Sequence, residues 1–168
     1  MRAGGASIEH GSLLDEEALQ MMKKHGTFLV PTIYVHEVIM QAEGKGYPQE
    51  YIEKERVAGK EELEVFHRAL ALGIPIAYGT DSAVYPHGDN ARQFAVMVRE
   101  GMTPLAAIQS ATVRAAELMG WADCVGSIEP GKWADIIAVR DNPLESVRTL
   151  EDVVLVRKGG RVFKNEAR

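Results

Sequence analysis

Short apolar runs alternate with amphipathic stretches along this chain, and the two patterns have different periods. Residues 6–11, 27–34 and 74–78 are brief and rich in apolar or β-branched side chains, the mark of buried strands. The intervening stretches repeat at helical spacing. Over 12–26, Leu14, Ala18, Leu19 and Met22 share one face, with Asp15 as the expected N-cap and Gly26 as the stop. Pro31 removes a ladder donor, so it belongs near the end of the second strand or at a bulge. A shorter helix is predicted over 35–46. A long charged helix follows over 49–72, with Ile52, Val57, Leu63, Phe66 and Leu70 on its inner face and Gly73 ending it. Another is predicted over 90–100. Thr103 then caps a helix that opens on Pro104 and runs toward Gly120.

The tail has a different pattern. Residues 126–132 are turn-rich, and 134–140 read as a strand. The segments 153–157 and 161–164 flank Lys158-Gly159-Gly160 and read as a hairpin. Strands alternating with helices predict an α/β fold, a parallel sheet covered by helices, followed by a small β segment. The expected division is 1–124 and 125–168.

Composition narrows the chemistry more than the fold. The 168 residues suffice for one core, and 46% hydrophobic with 26% charged residues is ordinary for a soluble domain. A net charge of −5 argues against nucleic acid or an anionic membrane surface as the main partner. No apolar run approaches the roughly 18 residues of a membrane span. Cys124 is the single cysteine, which excludes an intrachain disulfide and leaves His, Asp and Glu as candidate metal ligands.

The run Ile74-Pro75-Ile76-Ala77-Tyr78 passes straight into Gly79-Thr80-Asp81-Ser82. Asp81 is thereby expected just past a strand's carboxyl end, where α/β proteins bind ligands. A carboxylate there serves as metal ligand, general base or both; capping the next helix is the plain alternative. His10 repeats the arrangement at the end of the first strand, with a capping or core histidine as its alternative.

Several strings add up to a family likeness. Ser7-Ile8-Glu9-His10-Gly11, Gly79-Thr80-Asp81-Ser82, Pro86-His87-Gly88-Asp89-Asn90-Ala91-Arg92-Gln93-Phe94 and Gly101-Met102-Thr103-Pro104-Leu105-Ala106-Ala107-Ile108, with Ala111-Thr112 downstream, resemble the C-terminal half of the amidohydrolase superfamily. The branch they look most like is that of Xaa-Pro dipeptidases (prolidases) and imidazolonepropionase-like hydrolases. The tail string from Gly126 to Ile136 resembles that family's return into its small β-sandwich. The resemblance covers essentially the whole chain, in order.

It implies a partial (β/α)8 TIM barrel, strands six to eight with their helices, plus the C-terminal β segment of a composite β-sandwich. It implies a mononuclear or binuclear metal site, usually zinc, with His10 as the strand-six ligand. Asp81 is then the strand-eight ligand that also moves a proton as general base and acid. Zinc suits these donors and brings bound water to a pKa of about 7. The implied reaction cleaves the amide C–N bond of a small molecule, a dipeptide of Xaa-Pro type ahead of a cyclic amide, because the Pro86–Arg92 loop looks more like the peptidase branch. Assembly into a homo-oligomer is left open, as is localisation.

The chain departs from the family in its ligand set. Its five histidines, His10, His25, His36, His67 and His87, include no His-x-His pair. The family also draws on a carboxylated Lys or Glu from strand four and a His from strand five, with no counterpart here. Catalytic zinc uses three protein ligands. The chain is therefore expected to be an inactive C-terminal fragment of a longer parent enzyme, or a non-catalytic remnant serving as an interaction module.

Other residues carry lesser expectations. Tyr34, at the end of the second strand, is placed to polarise a carbonyl or hold a substrate carboxylate, against a packing role. His87 either contacts substrate or holds its own loop. Arg92 either binds a carboxylate bidentately or pairs on its helix. His36 is near enough to line the mouth, whereas His25 and His67 read as surface residues. The charge run from Glu50 to Glu64 reads as a solvated face.

Overall fold

The computed structural model describes residues 3–166. Strand β1 (Ser7–Glu9) pairs in parallel with β2 (Phe28–Val30), Ile8 opposite Leu29. Residues 74–77 lie along the other side of β2. The Leu29 amide donates to Pro75 O (2.9 Å) and the Ala77 amide to Leu29 O (3.0 Å). Only Ile76 forms a ladder bridge, parallel to Leu29, so the expected third strand is an extended segment rather than a full strand. Three parallel segments in chain order bring His10, Thr32 and Asp81 to the same end. That is what assembles the site.

Helix α1 (Glu16–His25) connects the first two segments. Asp15 Oδ1 accepts from the Ala18 amide (2.8 Å), and Gly26 closes the helix at φ 66°, both as expected. The second strand is shorter than 27–34. Pro31 has no amide to offer, and the amides of Thr32 and Tyr34 go to side chains of Glu62 and Gln93. Tyr34 instead opens α2 (Tyr34–Gln41), which ends before the expected residue 46.

Helix α3 (Gln49–Leu72) matches its expected span. Its inner face does not. Ile52, Phe66 and Ala69 are fully buried, Leu63 and Leu70 are half-buried, and Val57 is 60% exposed. The true seam runs Ile52, Glu55, Gly59, Glu62, Phe66, Ala69, in steps of three and four. Two acids and a glycine on that seam concealed its phase.

Helix α4 (Arg92–Arg99) adds Val96 and Met97 to a core built from Leu19, Met22, Leu29 and Phe66. Thr103 caps α5 (Pro104–Ser110) as expected, its hydroxyl accepting from the Ala106 amide (3.2 Å). The single helix expected to reach Gly120 is two. Thr112, at ψ −95°, turns its hydroxyl back to Ile108 O (2.9 Å), and α6 (Val113–Leu118) starts afresh.

Strand β3 (Ile136–Ala138) then pairs antiparallel with β4 (Leu155–Lys158), and β4 with β5 (Arg161–Asn165). Gly159 and Gly160 both have positive φ in the two-residue turn, as a primed hairpin turn requires. A 3-10 turn (Val147–Glu151) packs Val147 and Leu150 inward beside α4. No helix among the described residues is long and apolar enough to cross a membrane.

Gly79 shows how closely the site end is packed. A Cβ there would sit 2.4 Å from Val30 Cγ1. Gly79→Ala is expected to cost about 1–3 kcal/mol by overpacking, read as a lowered denaturation midpoint.

Candidate active site

Outside glycine, positive φ occurs at three described residues: His10 (60°), Asp81 (47°) and Ala83 (121°). Left-handed backbone costs a non-glycine residue about 1–2 kcal/mol. Two of the three are the residues singled out above for metal chemistry. Such strain gathers where side chains must be aimed.

His10 and Asp81 open onto one cleft of about 230 Å³, together with Ser12, Thr32, Glu55 and Glu62. His10 follows β1, its amide bonded to Val30 O (3.0 Å). Its Nδ1 lies 2.7 Å from Thr32 Oγ1. The Asp81 carboxylate is exposed and makes no side-chain hydrogen bond or ion pair among the described residues. It does not cap the next helix, since Ala91 occupies the N-cap of α4. A larger, shallow groove of about 760 Å³ runs beside Leu13 and Val57, but it gathers no histidine. The donors converge on the smaller cleft.

Glu62 is the residue that sequence reasoning missed. The outward positions of its charge run are solvated, Lys54 pairing with Glu50, but Glu62 is only 6% exposed. Its Oε1 accepts from the Thr32 amide (2.8 Å) and the Thr32 hydroxyl (3.2 Å). Burial pushes this carboxyl above the ordinary carboxylate value, against the pull of both Thr32 bonds and of His10. The signal was present: a carboxylate in register with Ile52, Phe66 and Ala69.

The raised value sets a pH dependence. The fold favours protonated Glu62, so that contribution is complete below the ordinary value of 4.5 and is lost as pH rises through the raised one. Glu62→Gln is expected to flatten this decline. Urea denaturation should show the variant gaining on the parent chain between acidic and mildly alkaline pH; parallel curves would reject the assignment.

Gln93 is the second missed residue, fully buried on α4. Its Nε2 donates to Pro31 O (2.9 Å) and to Gly79 O, while Oε1 accepts from the Tyr34 amide (3.3 Å). One amide thus ties the turn after β2 to the turn that carries Asp81.

None of the other expected residues lines the His10–Asp81 cleft itself, although His36 packs against Glu55 and Gly59, which do. Tyr34 is buried and stacks edge-on against Tyr85 at 4.8 Å. Arg92 Nε lies 3.3 Å from Asp89 Oδ1 and 4.0 Å from Glu151 Oε2. The Tyr34 hydroxyl, then Asp89 and Glu151, hold its guanidinium more firmly charged than usual. His87 is exposed, its Nδ1 3.2 Å from Ser82 Oγ, and holds its loop. His36 packs over Gly59, where a Cβ would fall 1.9 Å from Nδ1, and contacts Glu55 (3.2 Å). That explains a glycine in mid-helix. His67 is exposed and meets Glu100.

Fold and site together place a cleft lined by histidine and carboxylates at the carboxyl ends of parallel segments in an α/β chain. The profile of the Amidohydrolase family matches residues 1–163, and the chain belongs to that family. It is 39% identical to the ochratoxinase of Aspergillus niger over 98% of its own length and 35% of that protein's. Among solved structures, an Xaa-Pro dipeptidase with methionine bound in its active site superposes with a TM-score of 0.92 at 40% identity, over 98% of this chain and 41% of that one. A prolidase complexed with N-methylphosphonate-L-proline gives 0.87 at 29% identity, over 98% and 41%. The chain thus spans well under half the length of these relatives. The resemblance read from short strings holds for both the family and its prolidase-like branch.

Proposed function

We propose that this chain supplies part of the active site of a metal-dependent amidohydrolase that cleaves the C–N bond of a dipeptide of Xaa-Pro type. In this reading the parallel segments are strands six to eight of a (β/α)8 barrel. Residues 1–124 form the barrel portion, and 125–168 belong to a β-sandwich. The observation that carries the reading is the convergence of His10 and Asp81, both on left-handed backbone, into one cleft.

Their chemistry fits a metal, most simply zinc. Thr32 occupies Nδ1 of His10, which leaves Nε2 to ligate, and the Asp81 carboxylate is unengaged. The set is incomplete: no three His, Cys, Asp or Glu side chains among the described residues are grouped to hold a metal ion. In this reading the remaining donors come from the parent enzyme outside these residues, and the 168-residue chain is expected not to hydrolyse the dipeptide on its own.

A metal so held supplies Lewis acidity toward the substrate carbonyl and the attacking water. Asp81 takes a proton from that water and delivers it to the leaving nitrogen, giving a carboxylic acid and free proline. The expected substrate contacts of Arg92, Tyr34 and His87 require a substrate that reaches past the His10–Asp81 cleft, with Arg92 exchanging Asp89 or Glu151, and His87 exchanging Ser82, for the substrate. The preference for a dipeptide rests on the Pro86–Arg92 loop and on the prolidase likeness. A cyclic amide is the alternative, supported by 32% identity to the imidazolonepropionase of Geobacillus kaustophilus over 60% of this chain.

The test is hydrolysis of Xaa-Pro dipeptides by the parent enzyme with zinc supplied, read as released proline. Hydrolysis of a cyclic amide with dipeptides untouched would overturn the substrate, and a parent inert toward both would favour the interaction-module reading. The 168-residue chain is expected to retain no tightly held zinc. About one zinc per chain, lost in Asp81→Asn, would show a complete site here and overturn the shared one.

A further inference from the structure

The hydrogen bonds around Thr32 have a direction. Its hydroxyl carries one hydrogen. Oε1 of Glu62 lies 3.2 Å from that hydroxyl and 2.8 Å from the Thr32 amide, so one oxygen accepts from both. This holds whether Glu62 is ionised or carries its proton on Oε2. With the hydroxyl hydrogen committed to Glu62, Thr32 Oγ1 can only accept at its 2.7 Å contact with His10 Nδ1. The imidazole must then carry its hydrogen on Nδ1. Glu62 arrives from α3, thirty residues beyond Thr32, so the relay depends on how that helix is docked.

We propose that Glu62, acting through Thr32, is a positioning residue that holds His10 as the Nδ1–H tautomer and directs a bare Nε2 into the cleft it shares with Asp81. Its functional value rests on the reading of His10 as a metal ligand. Neither Glu62 nor Thr32 needs to touch the metal or the substrate. Carbonyl or carboxylate partners that orient a ligating imidazole typically contribute about 10- to 100-fold in metal affinity. A buried carboxylate reached through a hydroxyl would serve the same end.

The test is nitrogen-15 NMR of the full 168-residue chain labelled at histidine, at about pH 8, where imidazoles are neutral. His10→Gln identifies the His10 signals. The parent chain, Thr32→Ser and Glu62→Gln should all show a protonated Nδ1 and a bare Nε2, because each keeps the hydroxyl and its acceptor. Thr32→Val should lose the preference. Glu62→Leu should shift it toward Nε2–H, since the freed Thr32 hydroxyl can then donate to Nδ1. A parent His10 protonated at Nε2, or a preference unchanged in both Thr32→Val and Glu62→Leu, overturns the proposal. Should either of those two fail to fold, the conservative pair decides, and a tautomer change in Thr32→Ser or Glu62→Gln is fatal to it. Zinc titrated into the longer parent enzyme, where the ligand set is complete, separates the underlying reading. If zinc there leaves the His10 Nε2 signal unmoved, His10 is not a ligand, while the tautomer comparison in the 168-residue chain still decides the positioning. In the parent enzyme, Thr32→Val should weaken zinc binding about 10- to 100-fold and Thr32→Ser only slightly.

Discussion

Asp81→Asn in the parent enzyme is expected to lower kcat by about 10²- to 10⁴-fold while leaving the fold intact, the range for loss of a positioned proton carrier. Asparagine is the informative replacement. It keeps the shape of the side chain and tolerates the left-handed backbone at φ 47°, so backbone strain does not change. It removes the charge, and with it the capacity to take a proton from water. The exposed carboxylate has no hydrogen-bonded or ion-paired protein partner among the described residues to lose. A melting temperature near that of the unsubstituted enzyme should therefore accompany the loss of turnover. A fall in kcat of less than tenfold would remove Asp81 from the reaction.

Gln93→Leu should do the reverse and act first on stability. Leucine fills a similar volume but leaves the carbonyls of Pro31 and Gly79 and the amide of Tyr34 without their partner. Each buried polar group so orphaned costs about 1–3 kcal/mol, and some relaxation is expected. The net loss should be about 3 kcal/mol or more. For a chain of this size that is a fall in Tm of roughly 6–12 °C. The Asp81 turn should also loosen, because Gly79 is the point at which Gln93 holds it. A melt within about 2 °C of the parent chain would mean that the amide merely fills space.

The contrast between these residues shows what could be read in advance. His10 and Asp81 were legible because each closes a short apolar run next to glycine, a signal contained within a few residues. The caps at Asp15, Gly26 and Thr103 were legible for the same reason: a cap is a contact between residues about three apart in sequence. Val57 was misjudged because the phase of α3 depends on which face docks, and the polar residues on its buried seam hid that face. Tyr34 was assigned to a strand because its string is apolar. Its amide instead goes to Gln93, 59 residues away, and helix α2 begins there.

The sequence by itself determined the alternation of segments and helices, the hairpin at Gly159-Gly160, the family, and the two residues at the carboxyl ends of parallel segments. All of these follow from local periodicity, turn chemistry and short strings. Tertiary structure alone decided that His10 and Asp81 share one cleft, that Glu62 is buried behind Thr32, and that Gln93 ties two turns together. Those facts depend on helix phase and on bonds spanning roughly 20 to 60 residues. Only the packed core, which sets how α3 and α4 lie against β2, fixes which distant donor meets which acceptor.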